Sequence, residues 1–284
     1  MRLISGVEGW RSFADAQRRA HRRVGLVPTM GALHAGHTSL FEAAKQHGDV
    51  VIATRFVNPR QFENRDDLDR YPRTPEVDRA LAEAHGVDCL VEPTLDAMWP
   101  AYPDPTATTV SVRGLSDVLE GAARPGHFDG VASVVAKLLT VTGPCRVYFG
   151  EKDFQQLAVI RQMVFDLSFA AEVVGCAIVR DADGLAFSSR NVQLSDEARR
   201  RALGLSRAVA AVAEAPATAS ELRRRLRATL ESAEVDVVYA EVVNPVTFVS
   251  SRDADSGDAR ALVAAKVDGV RLIDNGPVVL KGEQ

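Results

Sequence analysis

The sequence lacks the features that mark several classes of protein. It has no run of about 18 apolar residues, the length that a membrane-spanning helix needs. Residues 1–7 contain no apolar segment long enough for a secretory signal. The three cysteines, Cys89, Cys145 and Cys176, stand far apart with no Cys-x-x-Cys pair, which is typical of a reducing compartment. We therefore expect a cytoplasmic protein with no membrane partner.

Charge and sequence motifs exclude further classes. The net charge of −4 gives no general attraction to nucleic acid, and the arginine clusters at 199–201 and 223–225 have no interleaved aromatic residues. The P-loop pattern is missing, and so is a Gly-x-Gly-x-x-Gly after a strand. The Gly-x-Ser-x-Gly elbow of hydrolases is absent as well. We expect no nucleic-acid partner, and any bound nucleotide must be held by His, Lys, Ser and Arg side chains.

What is present predicts an α/β protein. The 284 residues are 46% hydrophobic and 25% charged, as in ordinary globular proteins. Strand-like segments lie at 24–27, 50–57, 87–91, 146–149 and 172–179, and helix-like segments lie at 10–22, 36–47, 75–84, 127–142 and 153–167. This alternation predicts a doubly wound, Rossmann-like parallel sheet with helices on both faces. Ligands of such sheets bind beyond the C-terminal ends of the strands.

The pattern changes near residue 180. A polar segment, 180–195, precedes two helices rich in Arg and Ala, and three strand candidates follow. We place these helices at 196–213 and 220–232, and the strands at 235–243, 260–267 and 270–273. We therefore predict two domains, a Rossmann-like domain of residues 1–178 and a smaller α+β domain of residues 179–284.

Two histidines three residues apart are the most informative feature. His34 and His37 follow a strand-like run and a tight turn, and they fall at the start of a predicted helix. Side chains at this spacing share one helix face, next to unpaired N–H groups and the positive end of the helix dipole. This arrangement suits a phosphate. Zinc needs three or four protein ligands, so we expect no metal site there. Two histidines that merely pack or face solvent are the alternative.

Amide side chains follow the next strand. Asn58 and Gln61 come directly after the strand-like run 50–57 and should lie near the same rim as His34. Amides both donate and accept, which suits a small substrate that bears hydroxyls and a carboxylate. The alternative is that both amides only satisfy backbone groups of their own loop.

A third strand ends in a glycine and a lysine. Gly150 permits a close backbone approach, and Lys152 places a cation at a helix start, where it suits phosphate. Asp153 either caps that helix or binds ribose hydroxyls. A fourth segment has Ser188, Ser189 and Arg190 in succession near the predicted domain junction, which suits a phosphate clamp on a hinged lid. A Ser-rich linker is the alternative there.

Together these segments resemble the pantoate–β-alanine ligase (pantothenate synthetase) family. Residues 28–37 are similar to that family's version of the nucleotidyltransferase histidine signature, which alone marks only a superfamily. The motifs similar to the family's, in its order, are at 28–37, 56–61, 70–74, 124–128, 149–156 and 188–191. The similarity runs from about residue 24 to residue 195 and is weaker over 262–275.

The resemblance implies a two-step, ATP-dependent ligation. Pantoate attacks the α-phosphate of ATP to give pantoyl adenylate and pyrophosphate, and β-alanine then displaces AMP to give pantothenate, a precursor of coenzyme A. It implies a homodimer that uses magnesium, with a nucleotide- and pantoate-binding domain at 1–178 and a lid at 179–284.

The resemblance also implies roles for residues. It implies that His37 is the active-site acid and that Gln61 and Gln156 bind pantoate, with Gln61 also near β-alanine. From the chemistry of the residues themselves, His34 and Lys152 join the catalytic candidates and Asn58 joins the pantoate-binding ones. The implied ATP-binding residues are Met30, Gly31, Ala32, Leu33, His34, Ala35, Gly36, His37, Gly150, Glu151, Lys152, Asp153, Val179, Phe187, Ser188, Ser189 and Arg190.

Four positions depart from the family's usual pattern. Arg55 replaces a small or apolar residue on a strand, Trp99 replaces a tyrosine, and Thr38 and Gln193 replace an apolar and an aromatic residue. A buried arginine must find a partner or reach the surface. Two alternatives to a ligase stay open: another adenylyltransferase of the superfamily, and a homologue that binds nucleotide without catalysis.

Overall fold

The computed structural model describes residues 1–63 and 65–283. Asn64 and Gln284, which fall in the predicted domains 1–178 and 179–284, lie outside the described residues. The chain forms two compact units. The first unit comprises Met1–Glu151 and Gln156–Ala177, and the second comprises Lys152–Gln155 and Ile178–Gln284.

Six parallel strands form the sheet of the first unit. The strands are β1 Arg2–Ile4, β2 Val24–Thr29, β3 Val50–Arg55, β4 Cys89–Val91, β5 Cys145–Gly150 and β6 Ala171–Cys176. Their order is β1-β4-β3-β2-β5-β6, and every neighbouring pair is parallel. The chain adds β3 and β4 on one side of β2, then returns to add β5 and β6 on the other. β2 and β5 therefore meet at a topological switch point, and the predicted doubly wound sheet is confirmed.

Ten α-helices accompany the strands in the described part of the chain. They are α1 Val7–Arg19, α2 Ala35–Gln46, α3 Arg65–Arg70, α4 Pro75–Ala84, α5 Leu95–Met98, α6 Glu120–Ala123, α7 His127–Thr142, α8 Phe154–Asp166, α9 Asp196–Ala213 and α10 Ala219–Ser232. The bounds of α4, α7 and α9 match the prediction, whereas α1 begins and ends three residues earlier than predicted. None of the described helices is long and apolar enough to cross a membrane.

Alternating strand residues supply two apolar layers, one on each face of the sheet. Leu26 and Ile52 belong to the cluster that contains Trp10 of α1 and most of α7. Val27 and Val51 belong to a second cluster with Phe41 of α2. Successive strand residues point to opposite faces, so the strands are apolar throughout, which is the pattern that predicted a parallel sheet.

The second unit is an α+β structure, as predicted. Its antiparallel sheet has the order β7 Asp236–Val243, β8 Gly257–Val267 and β9 Val270–Leu280. Leu205 of α9 and Leu222 and Leu226 of α10 pack against the apolar residues of this sheet. β9 extends seven residues beyond its predicted end at 273 because Asp274 and Asn275, although polar, are buried in the strand.

Candidate active site

A tight loop joins β2 to α2 and carries the histidine motif. The backbone is left-handed at Gly31, with φ +85°, and at Ala32, with φ +49°. A residue other than glycine rarely adopts this conformation unless its surroundings hold it there. Thr29 supports the turn, since its hydroxyl accepts from the Gly31 N–H (3.2 Å) and donates to the carbonyl of Thr54 (2.7 Å).

A buried carboxylate on α4 holds the rest of this loop. Asp78 accepts the backbone N–H of Leu33 at 2.8 Å and that of Ala32 at 3.1 Å, one with each carboxylate oxygen. Its side chain is 1% exposed, and the hydroxyl of Thr74 donates to it at 3.0 Å. A carboxylate that accepts two backbone N–H groups makes strong, charge-assisted hydrogen bonds. Asp78 therefore fixes the backbone immediately before His34.

Arg55 finds its partners beside this loop. Its guanidinium lies 2.7 Å from the carboxylate of Glu92 and 3.9 Å from that of Asp78. Arg79 also donates to Glu92, at 2.6 Å. Burial disfavours the charged form of Glu92, but the hydrogen bonds from Arg79 and Arg55 outweigh it and hold the pKa of Glu92 below its usual value. The arginine at the end of β3 is thus part of a paired network and not an isolated buried charge.

The two histidines form the N-terminal cap of α2. His34 is the N-cap residue, and its Nδ1 accepts the N–H of Gly36 at 3.1 Å. The Nδ1 of His37 accepts the N–H of His34 at 3.3 Å, and the two ring centroids lie 4.1 Å apart. A neutral imidazole whose Nδ1 accepts carries its proton on Nε2. In that tautomer each ring is a hydrogen-bond donor through Nε2 at the positive end of the helix, an arrangement that suits phosphate.

The amide pair flanks the short turn Pro59–Gln61 after β3, with Asn58 as its N-cap and Gln61 as its last residue. Asn58 is 1% exposed, and its Nδ2 donates to the Oε1 of Gln61 at 3.0 Å. The backbone carbonyl of Gln61 accepts from His127 at 2.8 Å and from Arg124 at 3.4 Å. Gln61 is half-buried and is therefore fixed through both its backbone and its side chain.

Three further candidates of the first unit lie at the end of β5 or after it. β5 pairs with β2, with Leu26 opposite Val147, so both strands end at the same edge of the sheet. Gly150 and Glu151 thus leave the sheet beside the strand that leads to the histidine loop. A Cβ at Gly150 would meet nothing within 4 Å, which leaves its backbone open to a ligand. Gln156 lies half-buried in the first turn of α8.

The second unit holds Lys152 and Asp153, which form an ion pair at 3.3 Å. The carbonyl of Lys152 accepts the side-chain amide of Asn275 at 2.8 Å. Asn275 is 2% exposed and accepts from the Nε of Arg260 at 2.8 Å. The backbone at the candidate lysine is therefore tied to β9, a contact that no local pattern in the sequence indicated.

The remaining candidates share one hairpin of the second unit. Phe187 donates its N–H to the carbonyl of Val179 at 3.1 Å, and the Ser188 hydroxyl accepts the N–H of Arg190 at 3.3 Å. The structure thus brings together Val179, Phe187, Ser188, Ser189 and Arg190.

Ion pairs hold the first half of this hairpin. Arg180 binds Asp274 at 2.6 Å, and Arg199 binds Asp181 at 2.6 Å and Asp183 at 2.8 Å. The hydrogen bond from Arg199 holds the pKa of Asp183 below its usual range. The serines and Arg190 therefore follow a segment that ion pairs hold in place.

The comparisons with known proteins agree with this geometry. The sequence profile of a family described as Pantoate-beta-alanine ligase matches residues 2–277. The chain belongs to the pantoate–β-alanine ligase family. It is 52% identical over 267 residues to the pantothenate synthetase of Acidobacterium capsulatum, a match that covers 92% of this chain and 87% of the relative. The family resemblance carried by the sequence motifs is confirmed.

Solved structures of the family have the same fold. The chain matches the crystal structure of pantothenate synthetase from Thermus thermophilus with a TM-score of 0.89 and 46% identity, covering 97% of this chain and 99% of that one. It matches the pantoate–β-alanine ligase of Francisella tularensis with a TM-score of 0.80 and 32% identity, covering 97% of each chain. The latter structure is a complex with Beta-gamma ATP and β-alanine.

Proposed function

We propose that the protein is a carbon–nitrogen ligase that condenses (R)-pantoate with β-alanine to form pantothenate, with ATP converted to AMP and pyrophosphate. Membership of the family supports this activity and its place in the biosynthesis of pantothenate and so of coenzyme A. The geometric observation that carries the proposal is the pair of Nε2 donors, His34 and His37, at the start of α2.

The reaction has two steps. A carboxylate oxygen of pantoate attacks the α-phosphorus of ATP, the bond to the β-phosphate oxygen breaks, and pyrophosphate leaves. The amine of β-alanine then attacks the activated carbonyl carbon, loses a proton, and AMP leaves. Neither step requires a covalent bond to the protein, so catalysis depends on positioning and on donors aimed at developing charge.

Each group of residues has a proposed role. His34, His37 and Lys152 stabilise charge on the phosphates, with His37 as the active-site acid. Gln61 and Gln156 bind pantoate, and Asn58 contributes to pantoate binding indirectly, by holding Gln61. ATP is held by Met30, Gly31, Ala32, Leu33, His34, Ala35, Gly36, His37, Gly150, Glu151, Lys152, Asp153, Val179, Phe187, Ser188, Ser189 and Arg190.

Magnesium is proposed to enter with ATP. Among the described residues, no group of three or more His, Cys, Asp or Glu side chains could hold a metal ion. Mg²⁺ commonly keeps several waters and binds largely through substrate phosphates, so the donor set fits an ion carried by the nucleotide. When bound, the ion neutralises charge on the phosphates.

The assembly and the cellular setting are further proposals. We propose a cytoplasmic homodimer, in which residues 1–178 bind the nucleotide and pantoate and residues 179–284 act as a lid domain. Light scattering coupled to size-exclusion chromatography would measure the mass in solution. A mass near 30.7 kDa would indicate a monomer, and twice that mass would support the dimer.

Pyrophosphate release tests the activity. The purified protein is incubated with ATP and magnesium, with and without pantoate and β-alanine. We expect pyrophosphate that depends on pantoate, and AMP with pantothenate in quantity only when β-alanine is present. Binding of ATP without release of pyrophosphate would identify a catalytically silent homologue. Release that depends on some other acceptor would identify a different adenylyltransferase.

A further inference from the structure

Asn58 uses all of its hydrogen-bonding capacity inside the protein. Its Oδ1 accepts the indole N–H of Trp99 at 3.0 Å and the backbone N–H of Arg60 at 3.3 Å. Its Nδ2 donates to the carbonyl of Gly130 at 3.1 Å and to the Oε1 of Gln61 at 3.0 Å. A side-chain amide has two donor and two acceptor positions, and here all four are occupied.

These partners decide which way each amide points. The indole N–H of Trp99 only donates, and the carbonyl of Gly130 only accepts. Asn58 therefore has one permitted orientation, with its oxygen towards Trp99. Because its Nδ2 then faces Gln61, the Oε1 of Gln61 must be the accepting atom. The Nε2 group of Gln61 takes no part in the contact with Asn58 and is a donor.

Trp99 is itself held firmly. It is 6% exposed, and the cationic groups of Arg60 and Lys137 each lie 5.2 Å from its ring, within the range of a cation–π interaction. Burial lowers the pKa of Lys137, and this residue also donates to the carbonyl of Met98. Contacts of this kind restrict the indole to one position.

We propose that Trp99 is a positioning residue for the acid substrate: through Asn58 it orients Gln61 so that Nε2 donates hydrogen bonds to an acceptor oxygen of pantoate. The inference rests on the proposed function, and it states which atom of Gln61 donates in one contact with pantoate. Pantoate has hydroxyl and carboxylate oxygens that accept, so a fixed donor at Gln61 recognises it. Without the indole N–H, Asn58 is oriented only by the carbonyl of Gly130 and the N–H of Arg60, so its hold on Gln61 is weaker. A rotated Gln61 presents an oxygen, which repels the carboxylate of pantoate.

A tryptophan analogue can replace the indole N–H and leave the rest of the side chain unchanged. The chain has only two tryptophans, and both are replaced when the protein is produced with β-benzothienylalanine, a tryptophan analogue with sulfur in place of the indole N–H. Within the described residues, the buried Nε1 of Trp10 has no hydrogen-bond partner. The analogue therefore removes one hydrogen bond, that of Trp99, while the ring shape is preserved. Trp99→Phe made with ordinary tryptophan removes the same donor by a second route.

Steady-state kinetics with ATP, pantoate and β-alanine tests the proposal. We expect the KM for pantoate to rise about fivefold in both proteins, as for loss of one neutral hydrogen bond. The KM for ATP and kcat should change by less than about twofold, since binding lost equally in the ground and transition states raises KM alone. Trp99→Phe made with the analogue, which alters Trp10 in addition, should behave as Trp99→Phe does.

Three results would overturn the inference. One is an unchanged KM for pantoate in a folded protein that contains the analogue. Another is an equal rise in the KM values for ATP and pantoate, which a general structural role would produce. The third is the absence of pantoate-dependent pyrophosphate release from the unmodified protein, which would overturn the proposed function as well. The first two results leave the proposed function intact.

Discussion

An oxygen of the buried Asp78 carboxylate lies 2.8 Å from the backbone nitrogen of Leu33, although the two residues are 45 positions apart in the chain. The contact ties α4 to the loop that carries the histidine motif. A Cβ added at Gly31 would lie 2.9 Å from the same carboxylate, so glycine is needed there for space as well as for its positive φ. The donors proposed to bind ATP are thus positioned by a residue outside their own motif.

Asp78→Asn tests this relationship. The amide has one acceptor oxygen in place of two, so one of the N–H groups of Ala32 and Leu33 loses its partner, and Arg55 loses a nearby charge. Hydrogen bonds to charged groups contribute about 1.5–3 kcal/mol, so we expect kcat/KM for ATP to fall by about tenfold or more.

The control for Asp78→Asn is Asp166→Asn, which alters a carboxylate near the C-terminal end of α8. It should leave kcat/KM for ATP unchanged. An Asp78→Asn protein with the wild-type KM for ATP and the wild-type kcat would contradict the positioning role. Circular dichroism shows whether each variant is folded.

His37→Ala and Lys152→Ala should fold and lose adenylation. Removal of one donor aimed at developing charge costs on the order of 10²-fold in rate. The measurement is pantoate-dependent pyrophosphate release in single turnover, which isolates the first step. His85→Ala is the matched control, because His85 pairs with Glu42 at 3.0 Å away from the motif. Near-normal adenylation by either folded variant would remove that residue from the catalytic set.

Gly130→Ala should disturb the turn that carries Gln61. A Cβ at Gly130 would lie 2.1 Å from the carbonyl oxygen of Arg60, so α7 or the turn must move. Overpacking of this kind costs about 1–3 kcal/mol, and displacement of Gln61 should raise the KM for pantoate more than that for ATP. Gly6→Ala, where an added Cβ meets nothing within 4 Å, is the control in urea unfolding and in kinetics. If the two variants had equal free energies of unfolding, α7 would be able to move without loss of stability, contrary to this expectation.

Hydrophobic periodicity predicts the parallel sheet because its strands are short apolar runs. It does not identify β1, and it gives only part of β9 in the second sheet. β1 has only three residues and is exposed or half-buried throughout, so its pattern is too short to identify. The sequence predicts an end of β9 at 273 because Asp274 and Asn275 resemble loop residues. Their burial is possible since Arg180 and Arg260 bind them, and such pairings between distant residues leave no local pattern.

Contacts between distant residues also limit how much of the candidate site the sequence predicts. Motifs indicate the histidines, Gln61 and Lys152 as candidates because these residues lie at strand ends or helix starts. Asp78 and Trp99 act through contacts made across the fold, with α4 and the segment after α5 folding back on the loops after β2 and β3. Trp99 stood out only as a departure from the family pattern, and the structure supplied the reason to assign it a role.

The Glu92 network predicts how stability depends on pH. Burial opposes ionisation of Glu92, yet Arg79 and Arg55 hold its pKa below the ordinary value of 4.5. A carboxyl whose pKa is lower in the folded state stabilises that state fully above its unfolded-state pKa. That contribution is lost as the pH falls through the lower, folded-state pKa.

Glu92→Gln should therefore be less stable than the wild-type protein at pH 7, because the two arginines lose their anion. Its free energy of unfolding should also fall less steeply below about pH 4.5. Urea unfolding measured between pH 7 and pH 3 tests both expectations. Glu231→Gln, at an exposed position of α10, should follow the wild-type curve. If Glu92→Gln kept the full acid-side slope of the wild-type protein, other carboxylates would have to account for that loss of stability.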